Sequence, residues 1–259
     1  MVFDPGFILE AAPAVLAALP TTLLMIVIAA PLGWLLGFAL AQCRLHRVPV
    51  LNQLVIVFVS MMRSVPEVVM LYVMYYFMPV VLFNAFQALG FSVNVAAVPA
   101  IAFAIVSFTL NQAAFSCEVL RSAIASVDVS QLEAALSVGM TRGQAMRRVV
   151  LPQAIVSALP NLNGLLVGLL QGTSLAYFVG VHEVMAVSVL EANQSYAYLE
   201  AYLLTTIIYE VLSFAINRIF HVVELRAGRY RRPAPATAAK GAGAEPAFAP
   251  APAPTSNGD

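Results

Sequence analysis

Long neutral apolar runs, separated by short polar ones, set the pattern of this chain. Ala11 to Cys43 carries no charged residue, Val68 to Cys117 carries none, and Val149 to His182 gives a third such run. The stretch from about Leu199 to Val223 is largely apolar, with Glu210 deep inside it and Glu200 and Arg218 nearer its ends. A hydrocarbon core of roughly 30 Å needs about 20 apolar helical residues per crossing. Each run is long enough, and the second is long enough for two crossings around its turn-rich Asn84 to Asn94 region. The pattern therefore predicts five spans, at about 14–41, 54–82, 96–120, 153–173 and 199–222. Strands of a membrane barrel would alternate with a two-residue period over roughly 10 residues, whereas these runs are continuous, so helices are expected.

Composition agrees with a bilayer protein: 61% of residues are hydrophobic, 10% are charged and the mean hydropathy is +0.87, far from the balance of a soluble domain. The opening MVFDPGFILE has acidic residues and no basic one before the first run, which argues against a cleaved signal segment. Orientation follows from basic residues, which stay on the cytoplasmic side. Arg44 and Arg47 follow the first span, Arg121, Arg142, Arg147 and Arg148 follow the third, and Arg226 to Lys240 follow the fifth. Residues 1–13, 83–96 and 174–199 have none. The alternation predicts an external amino terminus and a cytoplasmic carboxyl terminus. The zero net charge hides this vertical asymmetry, which is one of topology and not of nucleic-acid binding.

Three regions are thus expected: an external segment 1–13, a transmembrane domain 14–232, and a disordered cytoplasmic tail 233–259 rich in Ala and Pro. Cys43 and Cys117 are too few and too embedded for a disulfide framework or metal site, and read as small buried hydrophobes.

Within the domain, the cytoplasmic loop 126–151 has a helical grammar of its own. Ser130 to Glu133 fits an S-x-x-E capping box, Gly139 suits a left-handed helix end, and Thr141 to Gln144 repeats the box as T-x-x-Q. The spacing predicts a short helix, a turn and a second helix. Such a hairpin can lie on lipid headgroups, its arginines drawn to anionic lipid, or insert into a groove of a partner. Small Ala134, Ala135 and Gly139 allow a close approach in the second arrangement.

The run Glu133-Ala134-Ala135, Gly139, then Val149, Leu151 and Pro152 resembles the E-A-A, three residues, G, nine residues, I-x-L-P signature of permease subunits of binding-protein-dependent ABC importers, with Val for Ile. MRSVPEVVMLYVMYY at 62–76 is similar to the F-R-G-T-P segment of the polar amino acid branch, and LNQAAFSCEVLRSAI at 110–124 to its L-N-S-G-A-Y-x-x-E-x-x-R segment. The resemblance covers most of residues 20–225. It implies an all-α membrane protein of the type I importer permease kind, with about five transmembrane helices, placed in the bacterial cytoplasmic (inner) membrane. It also implies that the hairpin is a coupling element contacting an ATPase, through Glu133, Ala134, Ala135 and Gly139 with Arg142, Arg147 and Arg148 beside them. The implied partners are two ATP-binding cassette subunits carrying ATP and Mg, a second permease copy or homologous permease, and an extracytoplasmic amino-acid-binding protein. No cofactor is expected on this chain.

The sequence departs from the family where L-K-D-T-S-L reads Leu170-Gln171-Gly172-Thr173-Ser174-Leu175. Gly there, followed by T-S-L-A and an aromatic, is similar to importers of cystine and related sulfur amino acids. No phosphate-cradling G-x-x-x-x-G-K-[ST] loop is present, and the one lysine, Lys240, lies in the tail. The chain is therefore not expected to hydrolyse ATP or to be an enzyme. The alternative energy source is an ion gradient, which would make it a secondary carrier using intramembrane carboxylates such as Glu118 or Glu210. Arg63 and Glu67 stand four residues apart around Pro66 and could pair, as could Glu118 and Arg121 three apart. Candidate path-lining residues are Arg63, Pro66, Glu118, Asn161, Asn163, Gln171, Thr173 and Ser174, which could equally hold helices together.

Overall fold

A computed structural model describes residues 3–92 and 94–228; the expected tail 233–259 and the arginines from Arg229 onward lie outside the described residues. Among these residues the structure is helical and contains no strand. The helices are α1 (Pro5–Ala17), α2 (Leu19–Leu45), α3 (Leu51–Ser64), α4 (Glu67–Ala88), α5 (Ala100–Ala125), α6 (Val129–Ser137), α7 (Arg142–Ala145), α8 (Leu151–Gly172), α9 (Val184–Ser195) and α10 (Tyr198–Ala227). Five helical stretches are long and apolar enough to cross a membrane: α2, α4, α5, the run from Arg142 to Val179 that contains α8, and α10. The number of crossings expected from the sequence is thus met.

Two boundaries differ from the sequence reading, and proline explains both. The expected span over 54–82 is divided between α3 and α4. Val65 is extended (φ −85°, ψ 131°) because a residue before proline is driven out of the helical region, and Pro66 lacks the N–H that would continue α3. Only α4 is long enough to cross. At the amino end, residues 5–17 read as external segment and start of span one form α1, a separate helix. A ring at Pro20 would meet the carbonyl of Leu16 in a continuous helix, so the chain turns at Ala18 and restarts as α2.

Small residues lie at many of the closest helix contacts, beside larger buried ones such as Met25, Leu71, Phe108 and Leu169. Ala29, Ala30 and Ala41 of α2, Ala104, Ala113, Ala114 and Cys117 of α5, and Ala154 and Ala158 of α8 are buried. Val27, Leu35, Leu54, Tyr76, Phe77, Val211 and Phe214 point outward. This inversion of a soluble core is expected where the solvent is lipid, because acyl chains solvate Leu as well as a protein interior does, and close backbone contact decides association. Helix α5 is the central post, against which α2, α3, α4 and α8 pack. A Cβ added to Gly33 would lie 2.9 Å from the Thr109 carbonyl oxygen, and one on Gly37 would lie 2.8 Å from that of Ala113. Only glycine permits this approach of α2 to α5. Gln112 ties three helices here, accepting from Trp34 Nε1 of α2 at 3.2 Å and donating to the Leu165 carbonyl of α8 at 3.2 Å.

Candidate functional site: hairpin and intramembrane cavity

The hairpin forms as its local sequence dictates, with one change at its start. Asp128, not Ser130, caps α6: its Oδ1 accepts the Ser130 N–H at 2.9 Å. Those bonds from Ser130 hold the exposed Asp128 carboxyl below the usual carboxylate range. The far end of α6 closes in a Schellman motif, with Gly139 at φ +84° donating to Leu136 O at 2.9 Å and Met140 N donating to Ala135 O at 3.2 Å. The second box is complete: Gln144 N donates to Thr141 Oγ1 at 3.3 Å, and Thr141 N donates to Gln144 Oε1 at 3.0 Å. The second helix of the hairpin is continuous with the next span. A π-helical turn, Met146–Val150, runs straight into α8. Pro152 supplies the reason, since its ring clashes with the carbonyl four residues back and it has no N–H to give it.

Of the residues expected to face a partner, Glu133, Ala134, Gly139, Arg142, Arg147 and Arg148 are exposed. Ala135 is not; it is 5% exposed and turned into the packing between α6 and the segment that follows. Among the described residues no carboxylate pairs with Arg142, Arg147 or Arg148, so the hairpin carries free positive charge.

The candidate path residues do not gather in one place. Glu118 is occupied by an ion cluster: it accepts from Arg121 at 3.1 and 2.9 Å and pairs with Arg44 at the end of α2. Asn161 is exposed, and Asn163 donates to Asn217 of α10 at 2.7 Å. Gln171 is exposed, while Ser174 bonds back to its carbonyl at 2.7 Å. The expected Arg63–Glu67 pair is not made. Arg63 instead lies over the Phe115 ring, 5.4 Å from its centroid. The kink at Val65 and Pro66 separates the two residues into different helices and removes the i,i+4 geometry a pair would need. Glu67 borders a cavity of about 280 Å³ between α4, α5 and α8, with Asn111, Gln112, Phe115, Gly164 and Gly168 in its wall. Its Oε2 is 2.9 Å from where a Cβ on Gly172 would be. The carboxylate of α4 thus occupies the space left at the position where the family pattern has an acid.

Thr173 belongs to a buried network that sequence reasoning missed. Glu183, 0% exposed, accepts from Met185 N at 3.0 Å and Ala186 N at 2.7 Å, capping α9, and from the Tyr209 hydroxyl at 2.8 Å. Tyr209 in turn meets Thr173 Oγ1 at 3.3 Å, and Thr22 of α2 accepts from Val184 N at 3.3 Å. Burial pushes the Glu183 carboxyl up, against the hydrogen bonds from Met185, Tyr209 and Ala186. Its only local signal is an acid one residue before a helical pattern. Glu210, by contrast, is exposed on α10, and the same helix carries Arg218 over the Phe214 ring at 5.4 Å.

Comparison with known proteins decides the family. The model of the binding-protein-dependent transport system inner membrane component matches residues 29–229. The chain belongs to that family. Among its relatives, the probable amino-acid ABC transporter permease protein PatM of Vibrio harveyi is 39% identical over 219 residues, covering 85% of this chain and 94% of PatM. The L-cystine transport system permease protein TcyL of Bacillus subtilis (strain 168) is 33% identical over 224 residues, covering 86% of this chain and 91% of TcyL. A crystal structure of an amino acid ABC transporter with histidines superposes with a TM-score of 0.73 at 25% identity, over 87% of this chain and 100% of that one. The MetNI methionine ABC transporter, in an inward-facing form, gives 0.62 at 20% identity, which speaks for the fold. The permease is thus a multi-pass transport subunit of the inner membrane, with the type I importer fold.

Proposed function

We propose that this permease carries a polar amino acid inward, drawing energy from two ATP-binding cassette subunits that carry ATP and Mg and seat on its hairpin. An extracytoplasmic binding protein delivers the substrate to the opposite face, and a second permease copy or a homologous permease completes the pathway. The amino terminus faces outward and the carboxyl terminus the cytoplasm. Similarity to a cystine permease supports cystine or a related sulfur amino acid within the polar class.

One observation carries the reading: the hairpin is locked at three points, by Asp128, by the Gly139 turn and by the Thr141 box, yet leaves Glu133, Ala134 and three unpaired arginines exposed. A rigid, charged element continuous with α8 is suited to passing a partner's rigid-body movement into the membrane, where ATP and substrate favour different states of the assembly. A hairpin that merely lay on lipid would not need such definition.

The test is co-purification of wild type and Glu133→Arg with the cognate ATPase. Capture by wild type, and at least about tenfold weaker capture by Glu133→Arg at equal membrane level, is the expected result, as charge reversal within a docked surface is worth several kcal/mol. Import by wild type in vesicles lacking any ATPase would instead point to an ion-coupled carrier.

A further inference from the structure

We infer that Glu67 is the specificity-determining carboxylate of the intramembrane cavity and receives the ammonium group of the transported amino acid, with Gly172 as the cradle that lets it reach that position. The inference rests on the reading of this chain as an amino-acid permease and adds the group that recognises substrate.

Four observations carry it. Glu67 sits among apolar side chains in the first turn of a membrane-crossing helix, and among the described residues no hydrogen bond or ion pair reaches it. A half-buried carboxylate without a partner is expensive, so a ligand that supplies the missing charge is the natural reason for it. The basic residue four positions earlier has been taken away by the kink and stacked on Phe115, leaving the carboxylate open. The volume, about 280 Å³, lies just under the roughly 300–1,000 Å³ of drug-sized sites and suits a solute the size of an amino acid. Finally, the wall pairs one charge with the neutral amide of Asn111, which can orient a polar solute without binding it irreversibly, while Gln112 beside it is held by Trp34 and Leu165.

Gly172 is part of the same device. A methyl group there would lie 2.9 Å from Glu67 Oε2 and 3.4 Å from Oε1, so any side chain displaces the carboxylate. Because the obstacle is the free end of a flexible side chain, Gly172→Ala folds and moves the acid; it does not break the bundle. The arrangement also gives a transposition test, in which the acid is moved from α4 to α8 in the double variant Glu67→Leu/Gly172→Asp.

The experiment uses the permease reconstituted with its ATPase and binding protein, and measures ATP-dependent uptake of radiolabelled L-cystine and of a panel of other radiolabelled polar amino acids. The deaminated analogue of whichever is transported serves as competitor. Complex recovery and basal ATP hydrolysis are recorded for each variant. Glu67→Gln is expected to raise KM by about tenfold or more, the loss expected for a charge-assisted hydrogen bond, with complex recovery unchanged. It should also narrow the preference for amino acid over the deaminated analogue. Gly172→Ala should raise KM by less, and the double variant should return KM to within about threefold of wild type, against the full loss in Glu67→Leu alone. An unchanged KM and unchanged discrimination in Glu67→Gln, with wild type importing an amino acid, overturns the role of Glu67 and leaves the transport reading intact. Failure of the complete wild-type complex to import any amino acid overturns both.

Discussion

Helices α6 and α9 of this permease each begin with an acidic side chain that accepts a backbone N–H, and the two could hardly differ more. Asp128 caps α6 from an exposed position, and its carboxyl lies below its ordinary range because the bonds from Ser130 favour the charged form. Glu183 caps α9 while fully buried, and its carboxyl lies above the ordinary range because loss of water outweighs three hydrogen bonds. The motif is the same, and the surroundings reverse its electrostatics. A cap in water stabilises one helix, whereas a buried cap that also holds Tyr209 fixes α9 against α10 and, through Thr173 and Thr22, against the end of the α8 run and α2.

The largest effect should follow from removing the buried cap. Glu183→Ala leaves two backbone N–H groups and the Tyr209 hydroxyl without their acceptor in a dry interior, a loss of about 1–3 kcal/mol for each unsatisfied group, reduced by whatever water enters the void. The expected outcome is a thermal unfolding midpoint in detergent clearly below that of wild type, with hydrogen exchange quickened in α9 and at the Tyr209 end of α10. A variant as stable as wild type would mean that α9 is held by its apolar packing on α1 and α10 alone.

Replacing the acid by an amide sharpens the contrast. The folded state raises the Glu183 pKa above its ordinary 4.5, so it holds the proton more tightly than the unfolded chain does. The stability this group contributes is therefore complete below about that ordinary value and is lost as pH rises through the raised one. Relative to Glu183→Gln, which does not titrate, wild type should show its greatest advantage in mild acid and a shrinking one toward neutrality. Parallel unfolding curves at every pH would show that the carboxyl is not shifted.

Neither cap was assigned from the sequence, but the exposed one was missed by only two residues because its partners lie close by in the chain. The hairpin is written in consecutive residues: the Thr141 box spans four positions, and Gly139 announces its own positive φ. The membrane spans were legible too, because about 20 apolar residues in a row is a signal that survives any tertiary arrangement. The first cap lies at Asp128, two residues before the expected Ser130, and Ala135, which the resemblance placed in the contact helix, is buried on the apolar stripe its spacing indicates. What could not be read are contacts across the bundle. Glu183 meets Tyr209, 26 residues away, and Glu67 meets Gly172 across two helices. In sequence, Glu67 stands four residues from Arg63 and could pair with it, and it is the bend at the intervening Pro66 that parts them.

The smallest effect belongs to the exposed cap. Asp128→Ala removes the acceptor of the Ser130 N–H at the start of a nine-residue helix, where water can replace it, so the permease should fold and reach the membrane as wild type does. The first turn of α6 should fray, which hydrogen exchange at Val129 to Leu132 reads as several-fold faster exchange, and ATPase stimulation should fall modestly because Glu133 is then presented less rigidly. Asp128→Asn keeps an acceptor and should behave as wild type. The sign of its pH dependence is opposite to that of Glu183: the carboxyl is lowered from 3.8, so the contribution of the cap is present above that value and disappears as pH falls through the lowered one. At neutral pH the cap is fully made, and Asp128→Ala should differ from wild type there while the two converge in strong acid. Equal exchange at neutral pH would place the definition of the hairpin in the Gly139 turn and the Thr141 box alone, and Thr141→Ala would then be the substitution that loosens it.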